Sequence, residues 1–416
     1  MTLARRQAIF IAALLFLSGC ATSEPVPLTA SSSGYGVAKD EQKLIRQGSE
    51  IEKDLRKKGL VLQDPALQRY VERVGARLIP SGMPRDIRFH FLIIREPTIN
   101  AFSLSQGAIC AHTGLLVRLD NEAQLALVLA HEIAHVVQRH HLKHVRSAQR
   151  RIVAAKITQL SVAGIGSELI GLPYAASITG YGRETEQEAD LEGLKRVAAA
   201  GYDVRDVPGL FARMNEMEEP GAIESFFYSD HPSNDARSLY TRRLIESGAV
   251  PVTAGGAVNA EAYRSAVAGL TVENIRLRLA EGDYRFALQE AEFALMRTPM
   301  DPMLRYLTGE AHRSMAEDPK GAAREEAIRR RARLDSMLIE RYRANIPAEI
   351  AEAKAAYLRA LAADKGFALA HRGLGLVAHL QGDRDAARRE LGLYLARGGN
   401  VDDRRYIRRL IEETHR

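Results

Sequence analysis

The chain has 416 residues, with 58 Lys and Arg against 52 Asp and Glu, a formal charge of +6 and no Trp. That length allows two or three domains, each with a proper core, and 46% apolar with 26% charged residues is the balance of a folded globular protein. The small excess of base is scattered among acids and forms no aromatic-interleaved stripe, which argues against a nucleic-acid partner; two cysteines in unlike settings, Cys20 and Cys110, give no disulfide framework.

The first residues, MTLARRQAIFIAALLFLSGC, carry Arg5 and Arg6, an apolar run and small residues ahead of Cys20. This is the pattern of a secretory leader, too short to be a stable span. Its ending, Leu17-Ser18-Gly19-Cys20, resembles the bacterial lipobox, which implies a signal peptide over 1–19 and lipidation of Cys20. Ala21 follows where Asp would retain the protein at the inner membrane, so the expected location is the outer membrane, facing the periplasm. Residues 20–36, rich in Pro, Ser, Thr and Gly, read as a flexible tether.

A first folded domain is expected over 37–248. Helical periodicity covers 39–79, with Pro65 suited to a first turn. The period then shortens: 86–94 and 107–117 are strand-like, joined by REPTINAFSLSQ, and Cys110 reads as a small buried hydrophobe. Asp120 or Asn121 can cap the next helix. Residues 152–182 are apolar and Gly-rich but interrupted by Lys156 and Glu168, which suggests a buried helix or a mobile lid and not a membrane span. A helix over 183–200 ends at Gly201, further helices lie near 205–218 and 234–247, and 249–260 is a linker.

The helix after Asn121 contains LALVLAHEIAHVVQRHHLKHV. At about 100° per residue, His131 and His135 fall on one face, whereas His140, His141 and His144 point elsewhere and cannot join them unless the helix breaks. Two imidazoles one turn apart can share a Zn²⁺, and Glu132 beside them can take a proton from the attacking water. His140, His141 and His144, with Arg139, Lys143 and Arg146, read as a solvated basic face. A catalytic zinc needs a third protein ligand. Candidates lie in YGRETEQEADLEGL, where Glu184, Glu186 and Glu188 are all acidic and Glu186 shares a helix face with Asp190.

From 261 to 416 the chain reads as nearly all helix with an internal repeat. Ala287, Ala291, Ala294 and Pro299 stand at the spacing of a tetratricopeptide second helix, and Gly309 at the next first-helix glycine. Ala353, Tyr357 and Ala360, then Leu374 and Gly375, then Gly382 and Ala387, repeat the pattern. Gly309 and Ala353 are 44 residues apart where about 12 would keep the repeat, so a charged insertion breaks the array.

H-E-x-x-H on one helix followed by E-x-x-x-D on a second resembles the gluzincin metallopeptidases. The closer likeness is to the HtpX and CAAX-prenyl-protease family and its periplasmic BepA-like branch. NAFSLSQGAICAHTGLL is similar to that family's edge strand beside the cleft, DNEAQLALVLAHEIAHVVQRH to its active helix, and SDHPSNDAR to a later H-P-x-x-x-x-R motif. The resemblance implies an α+β fold: a mainly helical zincin-type domain with a small sheet, followed by the all-α tetratricopeptide-like region. It implies one zinc on His131, His135 and Glu186, Glu132 as general base and proton donor, and Asp190 behind a ligand. His231 would either occupy the fourth zinc position in a latent enzyme or stabilise the oxyanion, and Arg237 would be a transition-state or structural partner. The implied substrates are proteins, misassembled outer-membrane proteins in particular, with assembly machinery docked by the repeats. A chaperone or assembly adaptor with a closed zinc site is the alternative, and a zinc hydrolase of cell-wall or lipid substrates a third reading.

Overall fold

The computed structural model describes residues 25–29, 37–149, 182–216, 234–330, 332–398 and 403–413. Cys20, His231 and all but the last residue of the expected lid at 152–182 lie outside the described residues.

Helix α1 (Lys39–Lys57) precedes α2 (Pro65–Ala76). Asp64 caps α2 by accepting from the backbone N–H of Ala66 and Leu67, and Pro65 fills the first turn, where a missing N–H costs nothing. Strands β1 (His90–Ile94), β2 (Ala101–Ser103) and β3 (Ala108–His112) form a three-stranded sheet in the order β1-β3-β2, with β1 parallel and β2 antiparallel to β3. The strand expected over 86–94 begins only at His90, because Pro84 closes a turn onto Ile87 just before it. The strand expected over 107–117 stops at His112. Thr113–Leu116 instead winds into a helical turn, α3, and Gly114 sits so close to the chain that a Cβ would lie 2.0 Å from the Pro97 carbonyl oxygen. So the NAF stretch contributes the edge strand β2, while AICAH is the central strand.

Asn121 then caps α4 (Glu122–Val137) through its side-chain oxygen. This helix is apolar on every side and all 16 of its residues are buried, as expected of a helix at the centre of a core. Each polar side chain within it therefore needs a partner. Glu122 accepts from Tyr70, Tyr202 and Asn259 at 2.6–2.8 Å, and the Gln124 amide donates to Asp206 at 2.9 Å. Helix α5 (Arg183–Ala199) crosses α4, ends before Gly201 (φ +82°), and is followed by α6 (Val207–Glu216) and α7 (Asn234–Glu246). The 249–260 stretch is more than a spacer: Val250 is buried, Ala257 and Gly201 exchange backbone hydrogen bonds with neighbours across the bridge at Tyr202, and Val258 accepts from Glu122 N–H. The tether is likewise docked in part, with Leu28 buried and its N–H donating to the Val137 carbonyl at 2.8 Å.

Helices α8 (Ala260–Val267), α9 (Leu270–Glu281), α10 (Tyr284–Arg297), α11 (Pro302–Glu317), α12 (Pro319–Arg329), α13 (Ser336–Ala344), α14 (Ile346–Ala363), α15 (Ala368–Leu380), α16 (Arg384–Ala396) and α17 (Arg404–Glu413) complete the chain. Gly309 and Ala353 are far apart in sequence, yet the helices that carry them meet: α11 packs directly on α14, and Tyr357 lies against both Gly309 and Gly373. Helices α12 and α13 stand aside, tied in by Glu325, which accepts from the first backbone N–H groups of α10 at 3.0–3.1 Å. The helical region is fixed to the first domain by buried Arg278, which donates to the Pro97 carbonyl at 2.8 Å and to Glu290 at 3.0 Å.

Candidate metal centre

The site lies where α4 crosses α5. Glu186, Asp190 and Gly193 recur at the i, i+4, i+7 spacing of one helix face, and all three are buried. Gly193 lets the helices meet closely, since a Cβ there would stand 3.2 Å from the His131 backbone nitrogen. The approach delivers Glu186 and Asp190 to the two histidines of α4.

His131 Nε2 and His135 Nε2 face each other at 2.9 Å. Glu186 completes the group, with Oε2 3.4 Å from His131 Nε2 and Oε1 3.5 Å from His135 Nε2. Among the described residues, His131, His135 and Glu186 form the cluster able to hold a metal ion. Zinc–ligand bonds near 2.0–2.1 Å in tetrahedral array place ligand atoms about 3.3 Å apart, and the three separations here bracket that figure. The donor set, two imidazoles and one carboxylate, suits zinc as well. The residues present fit the ion.

Behind the ligands the imidazoles are oriented. His131 Nδ1 lies 3.0 Å from Asp190 Oδ1, so an Nδ1–H donated to the carboxylate leaves the Nε2 lone pair for a metal. Arg237 donates to Asp190 from Nε at 3.1 Å and Nη2 at 2.5 Å, and its guanidinium stacks over Phe211 at 4.5 Å. Burial works against the Asp190 charge, but Arg237 and His131 outweigh it and hold the carboxyl well below the usual range. Burial and Arg237 lower His131, while its bonds to Asp190 and Glu186 more than compensate and lift it to about 9. Arg237, 3% exposed, is thus turned onto Asp190, with Nη2 also 3.2 Å from His131 Nδ1. Glu132 follows His131 on the same helix and is buried.

One expectation is overturned. His140 is not on a solvated face; it is fully buried, with Nδ1 2.9 Å from His135 Nδ1 and Nε2 3.1 Å from Glu188 Oε2. The reason is a break in the helix. α4 ends at Val137, Arg139 adopts a left-handed conformation (φ 57°), and helix resumes over 140–149 in a new direction. Such a conformation costs a non-glycine residue roughly 1–2 kcal/mol. It is held by the two-pronged pair of Arg139 with Glu41 of α1, at 2.8 and 2.5 Å, among side chains that are at most 10% exposed. Burial pushes His140 down to about 4, so it is a neutral imidazole near pH 7. The sequence did not bring His140 to the site, and it offered Glu188 only as one of three acids, with Glu184 and Glu186, from which a third ligand could come.

A central helix carrying H-E-x-x-H, a second helix that brings a carboxylate to both histidines, and a further carboxylate behind one of them form the arrangement expected of a metallopeptidase domain. Residues 63–240 match the model of peptidase family M48, and this part of the chain is similar to that family. A candidate beta-barrel assembly-enhancing protease of Vibrio cholerae is 31% identical over 208 residues, 48% of this chain and 43% of the relative. The beta-barrel assembly-enhancing protease of Escherichia coli is 28% identical over 231 residues, 52% of this chain and 46% of the relative. The mitochondrial metalloendopeptidase OMA1 of Arabidopsis thaliana is 30% identical over 219 residues, 50% of this chain and 43% of the relative. The matched stretch therefore spans less than half the length of each of these relatives.

Proposed function

We propose that the protein is a zinc-dependent endopeptidase of the bacterial envelope, acting on misassembled outer-membrane proteins. The observation that carries the proposal is the convergence of His131, His135 and Glu186 at zinc-ligand separations. Zinc held there would supply a Lewis acid for the scissile carbonyl and acidify the attacking water toward about pH 7. Glu132 takes the proton from that water as the C–O bond forms and passes it to the amine nitrogen as the C–N bond breaks. Asp190 and Arg237 keep His131 in the tautomer that presents Nε2. Strand β2 has a hydrogen-bonded neighbour on one side among the described residues, and its packing on α4 offers an extended peptide a place beside the site.

The substrate class rests on the names of the bacterial relatives. Between Val117–Asp120 and the helical region a cavity of about 1030 Å³, walled by Val267, Val272, Phe286 and Phe293 with Arg264 and Arg297 at hand, is where a segment of substrate or assembly machinery would dock. The leader ending at Cys20 supports a lipid anchor at the outer membrane; a clickable fatty acid should label the wild type and not Cys20→Ala.

The deciding experiment measures zinc content and casein cleavage of wild type and Glu132→Gln. The expected result is about one zinc per chain in both, with cleavage reduced by roughly 10²–10⁴ in the variant. No zinc in the wild type would sink the proposal. Survival of the cellular role in Glu132→Gln would favour an assembly adaptor instead. His231→Ala should raise cleavage if His231 holds the enzyme latent, and lower it if His231 stabilises the oxyanion.

A further inference from the structure

The two histidines of the metal centre are not supported in the same way. His131 leans on a carboxylate directly. His135 reaches one only through a second imidazole: His135 Nδ1 to His140 Nδ1 at 2.9 Å, then His140 Nε2 to Glu188 Oε2 at 3.1 Å. The two rings meet edge to face, 76° apart with centroids 4.9 Å from one another, a geometry in which an in-plane nitrogen of one addresses the other. The direction of the proton in each bond follows from chemistry. If His135 Nε2 offers a lone pair to zinc, its Nδ1 must carry the hydrogen. His140 Nδ1 must then accept, so the His140 proton sits on Nε2, where Glu188 is placed to receive it. With His135 Nε2 given to the ion, each of the two bonds then has one donor and one acceptor.

We propose that His140 is a positioning residue for the metal centre, accepting the His135 Nδ1–H and, anchored by Glu188, fixing His135 with Nε2 toward the ion. The inference rests on the zinc reading above. Two separate features of the fold exist to make the contact. The chain breaks into a left-handed residue at Arg139, without which His140 would face about 140° away from His135 on a continuous helix. And Glu188 stands between the ligand Glu186 and Asp190 along α5, so that one helix supplies a ligand and the outer anchor of both imidazoles. Lys143 Nζ lies 3.4 Å from the same Glu188 oxygen and gives that carboxylate a second contact.

The test is the zinc dissociation constant, read by competition with a chromophoric chelator, beside thermal unfolding of the metal-free protein. His140→Phe removes the acceptor while filling the space, and should weaken zinc binding by about 10–100-fold. His140→Asn returns an acceptor near the Nδ1 position and should restore most of the wild-type affinity, which a purely space-filling role would not produce. Glu188→Ala, at a side chain 41% exposed and therefore tolerant of change, should weaken binding several-fold. Wild-type affinity in His140→Phe, or equal losses in His140→Asn and His140→Phe, overturns the proposal. If His140→Phe does not fold, unchanged affinity in Glu188→Ala overturns it. A wild type that binds no zinc at all refutes the peptidase reading, whereas a wild type that binds it with all variants equal refutes this inference alone.

Discussion

Two buried carboxylate–guanidinium assemblies sit in different halves of the molecule. In the first domain Asp190 is gripped by Arg237 and passes its remaining contact to His131. In the helical region Glu310 is gripped by Arg313 at 2.8–3.2 Å and accepts from the Tyr357 hydroxyl at 2.5 Å, where α11, α14 and α15 meet. The ion-pair chemistry is the same; the last contact differs. At Glu310 it ends on a phenol and closes a helix junction. At Asp190 it ends on an imidazole whose other nitrogen faces His135 and Glu186, at separations that leave room for an ion. A buried pair becomes part of a reactive site when its outermost group has a second nitrogen to offer.

Removing the arginine from each assembly tests that contrast and should give the largest effect. Arg237→Ala leaves a buried carboxylate without its guanidinium and should cost about 3–5 kcal/mol of stability, together with a loss of roughly 10–100-fold in zinc affinity. Arg313→Ala should cost less, because that side chain is 13% exposed and Arg372 also approaches Glu310. Its zinc affinity should match wild type. Urea denaturation and chelator competition on both variants read the two quantities, and equal zinc loss in the pair would erase the distinction.

Backbone approach offers a second, smaller test. A Cβ at Gly309 would lie 2.4 Å from the Tyr357 ring, and one at Gly373 would meet the same ring edge at 2.4 Å, so the buried phenol is confined by both glycines. Gly309→Ala should destabilise by about 1–3 kcal/mol through overpacking, despite the better helix propensity of Ala, and leave zinc binding unchanged. A neutral Gly309→Ala would mean that α11 and α14 are not locked by this contact.

The sequence made some of this legible and hid the rest for physical reasons. The pairing of His131 with His135, the shared face of Glu186 and Asp190, the cap at Asn121 and the stop at Gly201 depend on local helix geometry, which the chain states directly. His140 was hidden because angular reasoning assumes an unbroken helix, and nothing in an arginine advertises a left-handed turn. The stabilising partner, Glu41, lies 98 residues away. The turn at Thr113–Leu116 was hidden for a related reason: an apolar run reads as strand, and only the nearby Pro97 carbonyl explains Gly114. Likewise the insertion looks like a break when residues are counted, but the helices flanking it pack as though it were absent.

The last effect concerns how α12 is attached, and its sign is opposite to that of Glu310. Glu310 resists burial through Arg313 and Tyr357, which hold it below the ordinary carboxylate value. Its contribution is therefore present above about pH 4.5 and fades only as pH falls through the lowered folded value. Glu325 is pushed the other way: burial outweighs the backbone N–H groups of Arg285 and Phe286 and lifts it to about 7. A group raised on folding contributes fully below its unfolded value and loses that contribution as pH rises through the folded one. Wild type should thus lose about 2–3 kcal/mol between pH 5 and pH 8 from this site. Glu325→Gln, which keeps an acceptor for the first turn of α10 but cannot ionise, should lack that loss, while Glu310→Gln should retain it. Urea midpoints of the three proteins across that range decide the matter: parallel profiles for wild type and Glu325→Gln would show that the carboxylate is ionised throughout, and that α12 is held to α10 as firmly at pH 8 as at pH 5.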